Sequence, residues 1–260
     1  MTKLVPALVA EAIGVFALSF IGILAIHELG AVPGGLIGIA LAHGLILAIM
    51  ISVFMAVSGG HINPAVTVGL LVGGKIKIGP ALAYIIAQGI GGILAGLVVI
   101  AIFASTPKHP APAPEPTNPQ AVVSLENAGS PGAQLVANGT PSLSDIPEKQ
   151  PVSPFGAFLA ETVATFFLVL AVWGTAVDPR APKIGGFGIG LVVTADILAI
   201  GPLTGAAMNP ARAFGPALAS TLGGAHYDWA NHWIFWAGPL LGGILASLIY
   251  RGLIYPKNTD

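Results

Sequence analysis

The side chains able to do chemistry in this chain of 260 residues gather in two short stretches that repeat one another. Ser58-Gly59-Gly60-His61-Ile62-Asn63-Pro64-Ala65-Val66-Thr67 returns in the second half as Thr204-Gly205-Ala206-Ala207-Met208-Asn209-Pro210-Ala211-Arg212. In each copy small residues lead to an Asn, a Pro follows at once, and an apolar run comes next. That order predicts a helix start: the Asn oxygen accepts from free backbone N–H groups, and Pro at the first helical position loses no donor. The amide nitrogen is then free to donate elsewhere. Each helix start also carries a dipole end worth roughly half a positive charge. Two such ends facing one point would hold a neutral, oxygen-bearing solute and repel cations.

These helices are too short to cross a bilayer. From Pro64 the apolar run ends near Gly73, before Lys75 and Lys77; at ~1.5 Å per residue it covers ~15 Å, half of a ~30 Å hydrocarbon core. Half-helices are therefore expected at 63–73 and 209–220, entering from opposite sides and meeting at the midplane. The rest of the chain supplies their setting. It is 55% hydrophobic and 8% charged, against about a quarter charged in soluble domains, so a lipid bilayer is its solvent. Apolar windows at 4–26, 35–57, 79–103, 154–177, 185–202 and 232–254 are each long enough to span. The first, which has only Lys3 before it, reads as a retained span rather than a cleaved signal. The fold class is thus an all-α membrane protein with six transmembrane helices and two re-entrant half-helices. Residues 1–104 and 153–260 form two repeats, and three spans per repeat make the second enter inverted.

Ala10-Glu11 in the first span matches Ala160-Glu161 in the fourth. A carboxylate inside a membrane needs a partner; for Glu11 and Glu161 the irregular backbone ahead of each half-helix supplies N–H groups that lack one. Small residues every fourth position, such as Gly92 and Gly96, Gly186 and Gly190, or Gly238 and Gly242, predict close helix crossings. Residues 105–152 join the repeats and hold ten of the 22 prolines, the composition of a solvated tether. Lys3, Lys75, Lys77, Arg180, Lys183, Arg251 and Lys257 fall on one side of this arrangement, which makes both termini cytoplasmic. Lys108 and Lys149 lie in the long linker, where charge counts for little.

Several functions are excluded. A net charge of −1 offers no basic face to nucleic acid. There is no cysteine, and no His or carboxylate cluster with ligand spacing accompanies His61, so neither metal nor cofactor is expected. Ser58 with His61 or His43 lacks an oxyanion turn and is not read as an enzyme. An ion-coupled secondary transporter would also use inverted repeats, but its coupling site would have to come from His43, Asp196 and Arg212 alone. Arg212, deep in the membrane, must line a wet cavity or find a partner.

These motifs resemble those of an aquaporin of the major intrinsic protein family. The likeness spans about residues 4–104 and 153–255 and rests on the paired Asn-Pro-Ala signals, Asn63-Pro64-Ala65 and Asn209-Pro210-Ala211, the second followed by Arg212. It implies a passive channel for water and small neutral solutes that excludes protons and ions, with a pore in each subunit of a homotetramer in the cell (inner) membrane. It also implies a four-residue selectivity filter, carried over as His43, Ile197, Ala206 and Arg212, a set similar to plant tonoplast aquaporins. In that filter His43 and Arg212 would supply donors, while Ile197 and Ala206 leave a wall open enough for ammonia, urea or glycerol. Val177 to Lys183 is similar to a loop of archaeal water channels. A glycerol-type facilitator is the alternative, although that branch has Asp where Ala213 stands, and Ala217, Phe235 and Trp236 fit the water branch. Two departures stand out. The linker is unlike the ordered loop of tonoplast relatives, leaving His109 as its nearest candidate for a fifth filter position. Asp196 replaces an Asn, and is expected either to accept hydrogen bonds from a neighbouring helix or to pair with Arg212 or His43.

Overall fold

The computed structural model describes residues 4–105, 130–143, 152–182 and 184–256; His109 lies outside them. Its helices are α1 (Leu4–Leu29), α2 (Gly35–Ser58), α3 (Pro64–Val72), α4 (Ile78–Ile102), α5 (Pro131–Asn138), α6 (Pro154–Val172), α7 (Phe187–Thr204), α8 (Pro210–Leu222) and α9 (Ile234–Ile249). One wider π-turn extends α6 over Trp173–Val177 and another extends α9 over Tyr250–Ile254. Six of these helices, α1, α2, α4, extended α6, α7 and extended α9, are long and apolar enough to cross a membrane. The half-helices α3 and α8 follow the second and fifth of them.

Packing follows the repeat. Within repeats α1 lies on α4 and α6 on α9; between them α2 lies on α7. Each half-helix then rests on the last span of the other repeat, α3 on α9 and α8 on α4. Lipid cannot drive apolar faces together, so these crossings depend on close van der Waals contact. Glycine provides it: a Cβ on Gly215 of α8 would stand 2.5 Å from the Gly92 Cα of α4, and one on Gly243 of α9 would stand 2.6 Å from the Ala65 carbonyl of α3. Gly44 and Gly190 likewise bring α2 and α7 into backbone contact. Large apolar side chains such as Leu45, Val53, Ile86 and Leu191 face outward.

The expectation of a solvated tether across 105–152 fails for residues 130–143. Ser130 caps α5, its hydroxyl accepting from Ala133 N at 3.2 Å, with Pro131 at the first helical position. Leu135 and Val136 are buried against Ile23 of α1 and Val99 of α4. Gly132 and Gly139 let the segment sit on the backbones of Ile100 and Ile23. One apolar face of a two-turn helix was enough to dock it, and it was masked in sequence by the prolines around it.

Candidate functional site

Asn63 and Asn209 occupy the N-caps of α3 and α8. The Asn63 Oδ1 accepts from Ala65 N at 2.8 Å; the Asn209 Oδ1 accepts from Ala211 N at 3.1 Å and Arg212 N at 3.2 Å. Their amide nitrogens cross between repeats: Asn63 Nδ2 donates to the Met208 carbonyl and Asn209 Nδ2 to the Ile62 carbonyl, each at 2.8 Å. Those carbonyls are aimed by left-handed backbone, with φ 51° at Ile62 and 49° at Met208. Such conformations cost about 1–3 kcal/mol each in a residue with a side chain and need an external hold.

The hold is the pair of buried carboxylates. Glu11 accepts from Ser58 Oγ (2.6 Å), His61 N (2.9 Å), Ile62 N (2.5 Å) and Gln88 Nε2 (2.7 Å). Glu161 accepts from Thr204 Oγ1 (2.6 Å), Ala207 N (2.9 Å) and Met208 N (2.7 Å). Each thus satisfies the N–H groups of the extended lead-in, where no helix ladder can. Gln88 was not anticipated; it lies on α4, far from either motif in sequence.

A narrow channel runs past these caps, lined on one flank by His61, Asn63, Asn209 and backbone, and on the other by apolar groups including Leu47, Leu168, Val193 and Ile197. His61 Nδ1 meets Thr67 Oγ1 at 3.1 Å. The Thr67 hydroxyl donates to the Asn63 carbonyl, so His61 Nδ1 is the donor and Nε2 is left as an acceptor.

Toward the α5 end the channel opens into a vestibule of about 380 Å³. His43, Ile197 and Arg212 border both spaces and stand at the throat between them, with Ala206 just inside. His43 Nδ1 lies 2.8 Å from the Ile39 carbonyl and must donate to it; Nε2 therefore accepts, from Arg212 Nη2 at 2.8 Å. Gly22 of α1 leaves the space into which the His43 ring is tucked. Both ring nitrogens are engaged, so His43 is an orienter of Arg212 and not the second donor to solute that the sequence suggested. Arg212 also reaches toward the Ala206 carbonyl at 3.5 Å.

Two further results refine the sequence reading, the first by disfavouring the pairing alternative for Asp196. Asp196 lies on α7 beside Ile197, but among the described residues no ion pair joins it to Arg212 or His43. Its Oδ2 is enclosed without a hydrogen-bond partner: one helical position, a turn of about 100°, takes it off the channel face that Ile197 occupies. The vestibule wall also includes Asn138, Thr140 and Pro141, from the end of α5 and the strap that follows it. No motif in the linker marks them.

With this geometry in hand, comparison with known proteins gives a consistent result. A family model described as Major intrinsic protein matches residues 1–250. The chain is 39% identical to Aquaporin TIP4-4 of Zea mays, over 98% of this chain and 88% of that one. It is 41% identical to Probable aquaporin TIP3-2 of Arabidopsis thaliana, over 88% and 71%. In fold it is similar to the aquaglyceroporin from Plasmodium falciparum, with a TM-score of 0.75, 22% identity and 97% of each chain covered.

Proposed function

The chain belongs to the major intrinsic protein family and is a passive channel for water and small neutral solutes, and from that premise we propose how its residues divide the task. The observation that carries the reading is the crossed pair of Asn caps. Each amide has two N–H groups; one is held by a carbonyl of the other repeat, and the second faces the channel. A water oxygen accepting from both Asn63 and Asn209 turns its hydrogens outward and cannot take a proton from its neighbour in file. The two dipole ends repel cations at the same point.

His43, Ile197, Ala206 and Arg212 form the selectivity filter in this reading. Arg212, oriented by His43, donates to the passing solute, while Ile197 and Ala206 supply an apolar side that admits ammonia, urea or glycerol along with water. Glu11 and Glu161 are structural carboxylates; Pro64, Ala65, Pro210 and Ala211 start the half-helices and pack them. His61 offers its Nε2 as an acceptor on the channel's other limb, and Asp196 takes no part. The end bearing Lys75, Arg180 and Arg251 faces the cytoplasm, since Lys75 Nζ donates to Tyr255 Oη, Arg180 Nη2 to the Ile254 carbonyl and Arg251 Nη1 to the Val72 carbonyl, gathering three cations at one end. The protein works as a homotetramer in the cell membrane.

Stopped-flow measurements on proteoliposomes test this directly. Osmotic water permeability should exceed that of empty liposomes and an imposed pH gradient should persist. No excess water flux, or a collapsed gradient, would remove the reading; saturable uptake driven by an ion gradient would replace it with a transporter.

A further inference from the structure

The strap that closes one side of the vestibule is held by a hydrogen-bond chain whose every direction can be assigned. Trp236 Nε1 lies 3.3 Å from His232 Nε2, His232 Nδ1 lies 3.0 Å from Tyr227 Oη, and Tyr227 Oη lies 2.6 Å from the Pro141 carbonyl. An indole N–H only donates, so His232 Nε2 must accept and the ring proton sits on Nδ1. Nδ1 donates to the Tyr227 oxygen, and the Tyr227 proton goes to Pro141. Pro141 backs directly onto the lead-in of α8, where a Cβ on Gly205 would stand 2.9 Å from the Pro141 Cα. The start of α5, ahead of the strap, is tied independently, by Ser130 N to the Gly223 carbonyl at 3.4 Å.

His232 and Tyr227 are both buried within a cluster of rings. Trp229 lies 4.9 Å from His232 between ring centroids, Phe214 6.0 Å and Phe235 6.1 Å. The charged and titratable groups around the pair are His226 and Asp228 on their own loop and Arg212 on α8. His226 is exposed. Asp228 is engaged by Ala230 N and Asn231 Nδ2, and the charge of Arg212 acts on Tyr227. The other groups packed on them, Phe214 and Thr221 of α8, Phe235 and Trp236 of α9 and Pro141 of the strap, do not titrate. Burial alone holds His232 neutral, lowering its pKa to about 4. A proton on Nε2 would set a second N–H against the Trp236 N–H and place an uncompensated charge among the rings, so the ring would leave its place and Tyr227 Oη would lose the donor that aims it at Pro141.

We propose that Tyr227 and His232 are positioning residues for solute selection: through Pro141 they hold the strap as a further wall of the vestibule, and protonation of His232 releases it. The proposal rests on the channel reading above. The strap residues Thr140 and Pro141 share the vestibule with Arg212, His43 and Ile197, so its release widens the approach to the throat without touching the crossed caps.

The test uses full-length protein in liposomes, equal pH on both faces, and water and glycerol as probes. In the parent, the glycerol-to-water permeability ratio should rise about threefold or more between about pH 7 and about pH 4, with water flux retained as the sign of a folded pore. Tyr227→Phe should show the raised ratio at every pH. His232→Gln can still accept from Trp236 through Oε1 and donate to Tyr227 through Nε2, so it should keep the low ratio and lose the pH response. A flat parent profile, a parental ratio in Tyr227→Phe, or an unchanged acid response in His232→Gln would each overturn the proposal. Absence of water flux in the parent would sink the channel reading beneath it.

Discussion

At the residue scale, Ile197 is the place to ask how wide the throat is. Ala206 invites the same question but stands at φ 46°, where a bulky side chain adds backbone strain to any effect on the pore. Ile197 is helical, buried and on the channel wall. Ile197→Phe should lower glycerol and urea permeability about tenfold, the effect of ~1.4 kcal/mol on the barrier, while water still passes. Equal losses for all solutes would mean a blocked or misfolded channel, and no loss would place the constriction elsewhere. The residues themselves were largely legible. Asn63, Asn209, Glu11 and Glu161 could be placed because caps and buried acids obey local rules that a repeat doubles. Their partners were less so. That His43 consumes both nitrogens on Ile39 and Arg212, or that Asp196 turns off the channel, depends on rotamers and one helical step, which residue spacing does not encode.

Elements carry the next set of expectations. The α4–α8 crossing leaves no room for a side chain at Gly215, so Gly215→Ala should cost about 1–3 kcal/mol through overpacking and lower the melting temperature of the detergent-solubilised protein. A parental melting curve would show that the helices do not meet at that distance. The strap gives a pH-dependent counterpart. His232 has its pKa lowered from 6.5 to about 4 in the folded protein, so the unfolded chain takes up its proton first as pH falls. The stability tied to neutral His232 is therefore complete above about pH 6.5 and declines as pH falls toward 4. His232→Gln should flatten that part of the stability profile measured by thermal unfolding, and an unaltered slope would contradict it. Six spans and two half-helices were legible because bilayer thickness forces long apolar windows. The helix α5 was not, because two turns with one buried face, flanked by prolines, produce no comparable signal.

For the whole molecule, the proposed homotetramer predicts that cross-linking in native membranes yields species up to four times 26.2 kDa. A single monomeric species in membranes and in mild detergent alike would refute it. The crossed caps have a different consequence, one of timing. They join groups separated in sequence by 145 and 147 residues, a repeat and the linker together. Contacts of such sequence separation form late. At a synthesis rate of roughly 5–20 residues per second, the Ile62 carbonyl and the Asn63 amide wait roughly 7–30 s for their partners to emerge. During that interval the bilayer holds a half-built channel, its first re-entrant turn stitched to Glu11 but still short of a counterpart. The conducting centre cannot form until the second repeat emerges, so a ribosome that stalls midway leaves a fragment with unmatched polar groups at the midplane.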